Sequence, residues 1–223
     1  MLVTQLRNQY REAGRCDASA IFIATCLLKI EKMFMNYQKF FWAIRAILFK
    51  CRFKKFGWPG YIGRPTYLEN TRHAQIGNRV RIFPGLRLEV HSDGEIVIED
   101  NVAIGQNFHI TSCAEALIIG SDTTISGNVF ITNIDHEYRE IGKHVMNQEL
   151  KVSTTRVGKC CFIGYGAAIQ AGTILGDNCI VGANSVVRGK FPDRCVVVGA
   201  PARIVKVFNE DTQQWMPTEN GKK

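Results

Sequence analysis

From Val157 the chain keeps a period of six. Val157, Ile163, Ile169, Leu175, Val181 and Val187 are all aliphatic. Glycine follows four of them, at Gly158, Gly164, Gly176 and Gly182. The fifth place is small in five successive units, at Cys161, Ala167, Thr173, Cys179 and Ser185, and the fourth is often Asn or Gly. The same phase runs upstream through Ile76 and Ile82, then Ile98, Ile104 and Ile110, then Ile119, Ile125 and Ile131. A three-residue slip separates Ile110 from Ile119, and a long interruption separates Ile131 from Val157. A period of six fits neither a helix nor a plain strand. It fits a chain that turns a corner every six residues and points one aliphatic side chain inward from each short strand. Asn or Gly at the corner tolerates positive φ. Three such sides close a coil of about 18 residues, and stacked coils share a column of Ile, Leu and Val. Residues 157–192 then form two uninterrupted coils. A β-sandwich requires alternation and a spacing of about 8–12 residues instead.

Ahead of the repeat the period changes. Between Tyr37 and Phe56, the apolar residues Phe40, Phe41, Ile44, Ile47 and Leu48 recur at three- and four-residue intervals, with Lys39, Arg45, Lys50, Arg52, Lys54 and Lys55 among them. This pattern predicts a basic amphipathic helix. It suits either an anionic membrane surface or packing on a neighbouring domain or subunit. Gly57-Trp58-Pro59-Gly60 ends it. The expected organisation is a helical extension over 1–56, a repeat domain over 57–207 with a long loop at 132–156, and a C-terminal tail over 208–223. The apolar run Ala18–Leu28 is too short for a membrane span, and no clear cleavage site follows it. Met33 and Met35 are alternative starts, so residues 1–34 are the least secure part of the native chain.

The formal net charge of +8 suits a phosphorylated cofactor, anionic lipid or nucleic acid, and is also compatible with simple solubility. The eight cysteines form no C-x-x-C pair and no zinc-ligand spacing, so they read as reduced, small apolar residues of a cytosolic protein.

The hexads resemble those of the hexapeptide-repeat acyltransferase superfamily. Two motifs bring the resemblance closer to the branch of galactoside, maltose and nodulation O-acetyltransferases, with relatives in capsule and lipopolysaccharide synthesis. One is Asn133-Ile134-Asp135-His136-Glu137-Tyr138, at the start of the long interruption. The other is Gly199-Ala200-Pro201-Ala202-Arg203-Ile204-Val205, after the last coil. The resemblance implies an all-β fold, a left-handed parallel β-helix, and acetyl-CoA as co-substrate with no metal. It also implies a homotrimer with active sites between subunits and a saccharide acceptor. A cytoplasmic protein follows, at the inner face of the membrane if residues 37–56 touch lipid; no nucleic acid partner is expected.

Acetyl transfer to a hydroxyl needs a base, an oxyanion donor and two aligned substrates. Of the five histidines, His136 opens the interruption Thr132–Arg156, and long loops in tight repeats are usually functional. The matching family position is the catalytic base, and Asp135 is its supporting neighbour. The resemblance also sets Tyr165, Ala183, Arg188, Arg203 and Lys206 against coenzyme A, with the three cations suited to its phosphates. Asn107, His109 and Cys113 fall on the coil expected to face the acceptor. Phe162 stands where relatives usually carry Trp, and Gly189 where they often carry Lys. Three other classes compete with this reading. A sugar-nucleotide N-acetyltransferase often carries a nucleotide-binding βαβ unit, and no G-x-G-x-x-G is present. A zinc hydratase on the same coil needs three converging histidines. A scaffold coil leaves the long loop without a purpose.

Overall fold

The computed structural model describes residues 37–221. The apolar run 18–28 and residues 1–34 lie outside the described residues. The chain divides into two compact units, 1–42 and 43–223. A helix covers residues 37–49.

The second unit is a parallel β-solenoid with three faces of short strands. The first face begins with Lys55–Phe56 and the second with Tyr61–Ile62. The third begins with Tyr67–Leu68 and stacks six strands, one from each complete coil. Residues 157–192 form two uninterrupted coils, as the period requires. Within them Ile163 pairs with Val181 and Ile169 with Val187 in parallel register.

Every aliphatic residue of the six-residue phase points inward. Ile76, Ile82, Ile98, Ile104, Ile110, Ile119, Ile125, Ile131 and the six from Val157 to Val187 are buried. The small fifth-place residues are buried beside them, because a corner leaves no room for a longer side chain. Asn and Gly divide the remaining work. Asn101, Asn107, Asn128, Asn178 and Asn184 hold left-handed corners. Gly158, in contrast, answers close approach: a Cβ there would lie 2.4 Å from the Gly176 carbonyl oxygen of the next coil.

Two boundaries differ from the expected organisation. Helical geometry ends at residue 49 rather than 56, and Lys55–Phe56 is already a strand, paired with Ala74–Ile76. Phe53 and Phe56 are drawn into the core. Burying those two rings under the first coil outweighs another turn of exposed helix. The tail is likewise structured. Ala202–Asn209 runs antiparallel to Cys195–Gly199, and Gln214–Pro217 pairs antiparallel with it in turn. Trp215 packs edge-on against Phe208.

Candidate active site

The interruption at 132–156 leaves the third face directly after the strand Phe130–Thr132. Asn133 sets its exit. This side chain is fully buried; its Oδ1 accepts from the Cys113 backbone N–H at 2.9 Å and its Nδ2 donates to the Cys113 carbonyl at 3.0 Å. Its own carbonyl accepts from Ser153 N at 2.9 Å, so the two ends of the loop meet at this residue. Between them Ile134–His136 pairs antiparallel with Leu150–Val152, placing His136 opposite Leu150. The tip is braced by buried Gln148, which donates to the carbonyls of Glu140 and Lys143. His136 itself is exposed at the end of this arm. Its neighbour Asp135 forms an ion pair with Arg188, which follows the third-face strand Val186–Val187. That contact ties the arm to the later coils.

Earlier coils of the third face carry a polar cluster. Glu89, 7% exposed, accepts from Arg87 Nε at 2.9 Å and from Thr111 Oγ1 at 3.1 Å, and lies 3.2 Å from His109 Nε2. Burial opposes ionisation of Glu89, but the hydrogen bonds from Arg87, His109 and Thr111 outweigh it and hold the carboxyl below its usual range. With Thr111 donating to Glu89, a proton on His109 Nε2 completes the carboxylate and leaves Nδ1 as an acceptor. The His109 ring lies 4.9 Å from Phe130, and Tyr67 stands on the first coil beside Arg87. Strand register aligns Arg87, His109 and Phe130 in one outward row, and Glu89, Thr111 and Thr132 in the next. These rows lead to the point where the His136 arm leaves the solenoid.

The residues expected at coenzyme A gather differently. Tyr165 and Ala183 are exposed at the same corner of successive coils, in line with Asn107 and Asn128 below them. The Tyr165 hydroxyl accepts from Asn128 Nδ2. Gly164 keeps this edge thin, since a Cβ there would lie 2.6 Å from Ala183 N. Arg203 is exposed and pairs with Val198 one coil further on; Lys206, also exposed, pairs with Val196. Phe162 is 46% exposed on the second face. Gly189 has φ +113 and open space around it.

Of the residues expected near the acceptor, only His109 joins the polar cluster. Asn107 is a left-handed corner whose amide donates to Asn128, part of a corner ladder. Cys113 is 5% exposed, with Sγ 3.7 Å from Ser92 Oγ, so its thiol belongs to the wall. Glu89, Arg87 and Thr111 carry no sequence signal that singles them out, and Asn133 stands in the motif without an assigned role. Among the described residues no group of three His, Cys, Asp or Glu side chains is arranged to hold a metal ion, and no helix is long and apolar enough to cross a membrane.

The hexapeptide-repeat solenoid is the fold of a class of transferases, and comparison with known proteins agrees. The profile of the bacterial transferase hexapeptide (six repeats) matches residues 154–189. The lipopolysaccharide biosynthesis O-acetyl transferase WbbJ of Escherichia coli (strain K12) is 34% identical, over 68% of this chain and 80% of its own length. Galactoside O-acetyltransferase of the same organism is 25% identical, over 74% of this chain and 70% of its own. Among solved structures, AntD, an N-acyltransferase from Bacillus cereus in complex with dTDP and 3-hydroxybutyryl-CoA, aligns with a TM-score of 0.65 at 20% identity, over 75% of this chain and 90% of that one. The chain belongs to the hexapeptide-repeat transferase family, and its relatives make it an acetyltransferase.

Proposed function

We propose that the protein transfers an acetyl group from acetyl-CoA to a hydroxyl of a saccharide, a cell-surface polysaccharide or its precursor, with His136 as general base. The observation that carries this reading is the arm itself. The solenoid is interrupted once by a long loop, and that loop sets a histidine beside the third face and ties it through Asp135 to Arg188. The names of the relatives support a saccharide acceptor.

The acceptor lies along the outer rows of the third face, where His109 Nδ1 and the Glu89–Arg87 pair meet its hydroxyls and the rings of Phe130 and Tyr67 meet its apolar faces. Acetyl-CoA follows the corner of Tyr165 and Ala183, with Arg203 and Lys206 for its phosphates and Arg188 between the two substrates. His136 takes the acceptor's hydroxyl proton as the oxygen bonds to the acetyl carbon. The carbon–sulfur bond then breaks, and the leaving thiolate receives the proton from the imidazolium. The exposed apolar residues of the arm, Tyr138 and Ile141 among them, suit burial against a second copy, in a trimer with shared sites. A left-handed coil and a cytoplasmic location, where acetyl-CoA is made, belong to the same reading. The exposed apolar and basic residues of the segment 37–56 make a peripheral membrane contact.

The test is His136→Ala in a thiol-release assay with acetyl-CoA and a panel of sugars and amino sugars. Turnover falls by about 10²–10⁴-fold while the denaturation midpoint is unchanged. Retained turnover overturns the base assignment. Turnover with amino sugars alone overturns the hydroxyl acceptor.

A further inference from the structure

Ahead of the first strand, the end of the solenoid is capped by residues 43–49, and this cap has two apolar sides. On one, Ala46 is fully buried, with Phe53 and Phe56 in the same core. On the other, Ile44, Ile47 and Leu48 are 38%, 50% and 65% exposed. At this end, too, a cavity of about 370 Å³ opens between Arg52, Leu68, Asn70, Arg72 and His73. Its floor is pinned: Thr71 Oγ1 donates to the Arg52 carbonyl at 2.8 Å, and Asn70 Nδ2 to the Val90 carbonyl at 2.7 Å. Arg72 and His73 therefore stand exposed on a fixed 3-10 turn, Thr71–His73. Lys54 is matched by Glu95 at 2.8 Å. Among the described residues Arg52 and Arg72 have no carboxylate within ion-pairing distance, while His73 lies within electrostatic reach of Glu95. The sequence from 37 to 56 contains six Lys and Arg and no Asp or Glu.

Aliphatic side chains in solvent beside unmatched cations call for a partner with both an apolar phase and negative charge. A second copy docked through the same end would set Arg52 and Arg72 against their own counterparts, and like charges repel. A bilayer with acidic lipids offers both chemistries. We propose that this end of the protein docks on an anionic phospholipid membrane, with Ile44, Ile47 and Leu48 in the headgroup region and Arg52, Arg72 and His73 around a lipid phosphate. This deepens the membrane contact given above for 37–56, assigns it a headgroup site, and is independent of the acetyl-transfer chemistry.

The test is co-sedimentation of the full chain with vesicles of phosphatidylcholine alone, or with about one-third phosphatidylglycerol. The acidic vesicles bind preferentially, and salt weakens the binding. Arg52→Ala with Arg72→Ala lowers the affinity on the order of 10- to 30-fold. Ile47→Glu with Leu48→Glu lowers it independently. Thiol release with a soluble acceptor is unchanged in both double variants. Equal binding to both vesicle types, or unchanged binding in both double variants, overturns the proposal. So does saturation by inorganic phosphate without vesicle binding, which marks a free-anion site, or a changed oligomeric mass without vesicle binding, which marks an interface between copies. Absence of turnover in the wild-type protein strikes the acetyl-transfer reading and leaves the vesicle result standing.

Discussion

Substituting Asn133 by Ala strands the backbone N–H of Cys113, which its Oδ1 holds at 2.9 Å in a fully buried position, while the Cys113 carbonyl loses one donor and keeps the Glu115 N–H at 2.6 Å. One unsatisfied buried group costs roughly 1–3 kcal/mol, so the loss is of that size, toward the lower end where a water enters the vacated space. The contacts of Nδ2 to Ser112 Oγ and the Glu115 carbonyl, both at 3.4 Å, are long and add little. Asn133→Leu keeps the branched shape, leaves no cavity and removes the same hydrogen bonds, so it separates polar loss from cavity formation. Both variants lower the urea midpoint, with the slope unchanged where the fold is kept. With His136 three residues on, the proposed base role predicts that turnover falls, and the proposed acetyl-CoA site at the corner of Tyr165 and Ala183 predicts that the KM for acetyl-CoA stays near its original value. A midpoint within about 0.5 kcal/mol of the wild type in both variants refutes the claim that Asn133 fixes the exit of the arm.

Other expectations follow from the same geometry. Gly158→Ala forces a Cβ to 2.4 Å from backbone of the next coil and destabilises by roughly 1–3 kcal/mol or more. Gly189→Ala meets open space and pays only for its left-handed φ, about 1 kcal/mol; equal costs by thermal denaturation count against close approach as the reason for the repeat's glycines. Glu89 has a folded-state pKa below its unfolded value, so its contribution to stability is present above the unfolded pKa and is lost as pH falls through the folded one. Glu89→Gln therefore flattens the acid side of the stability–pH curve below about pH 4.5, and an unchanged slope speaks against the cluster. Alkylation of the native protein modifies exposed Cys51 and Cys160 and spares buried Cys113, Cys161, Cys179 and Cys195; mass spectrometry before and after unfolding reads the difference.

Much of the candidate site was legible because it interrupts a period. His136 stood out as the histidine at the start of the one long break, and Asp135 and Asn133 came with its motif. Glu89, Arg87 and Thr111 did not stand out, because coil lengths vary. Tyr67 pairs with Arg87 twenty residues on, Glu89 with Thr111 twenty-two on, and Thr111 with Thr132 twenty-one on. Without a constant spacing, nothing in the chain aligns a carboxylate on one coil with a hydroxyl on the next. Asn107 and Cys113 drew attention as polar or reactive residues on the right coil, yet one is a corner and the other is wall. Where a strand begins and which face a residue takes are decided by the stacking of coils. The eight-residue strand Ala202–Asn209 was read only as a motif and a tail, since its partners become adjacent only when the chain reverses.

The local sequence determined the solenoid by itself. An aliphatic side chain every six residues, with a small residue and a left-handed corner at set offsets, has few other ways to bury its apolar atoms, and each hexad states that requirement independently. The end of the helix at residue 49, the Asp135–Arg188 pair and the Glu89–His109–Thr111 cluster were decided only in three dimensions. Each depends on which coil lies against which, and that is settled when the whole column of Ile, Leu and Val leaves water together.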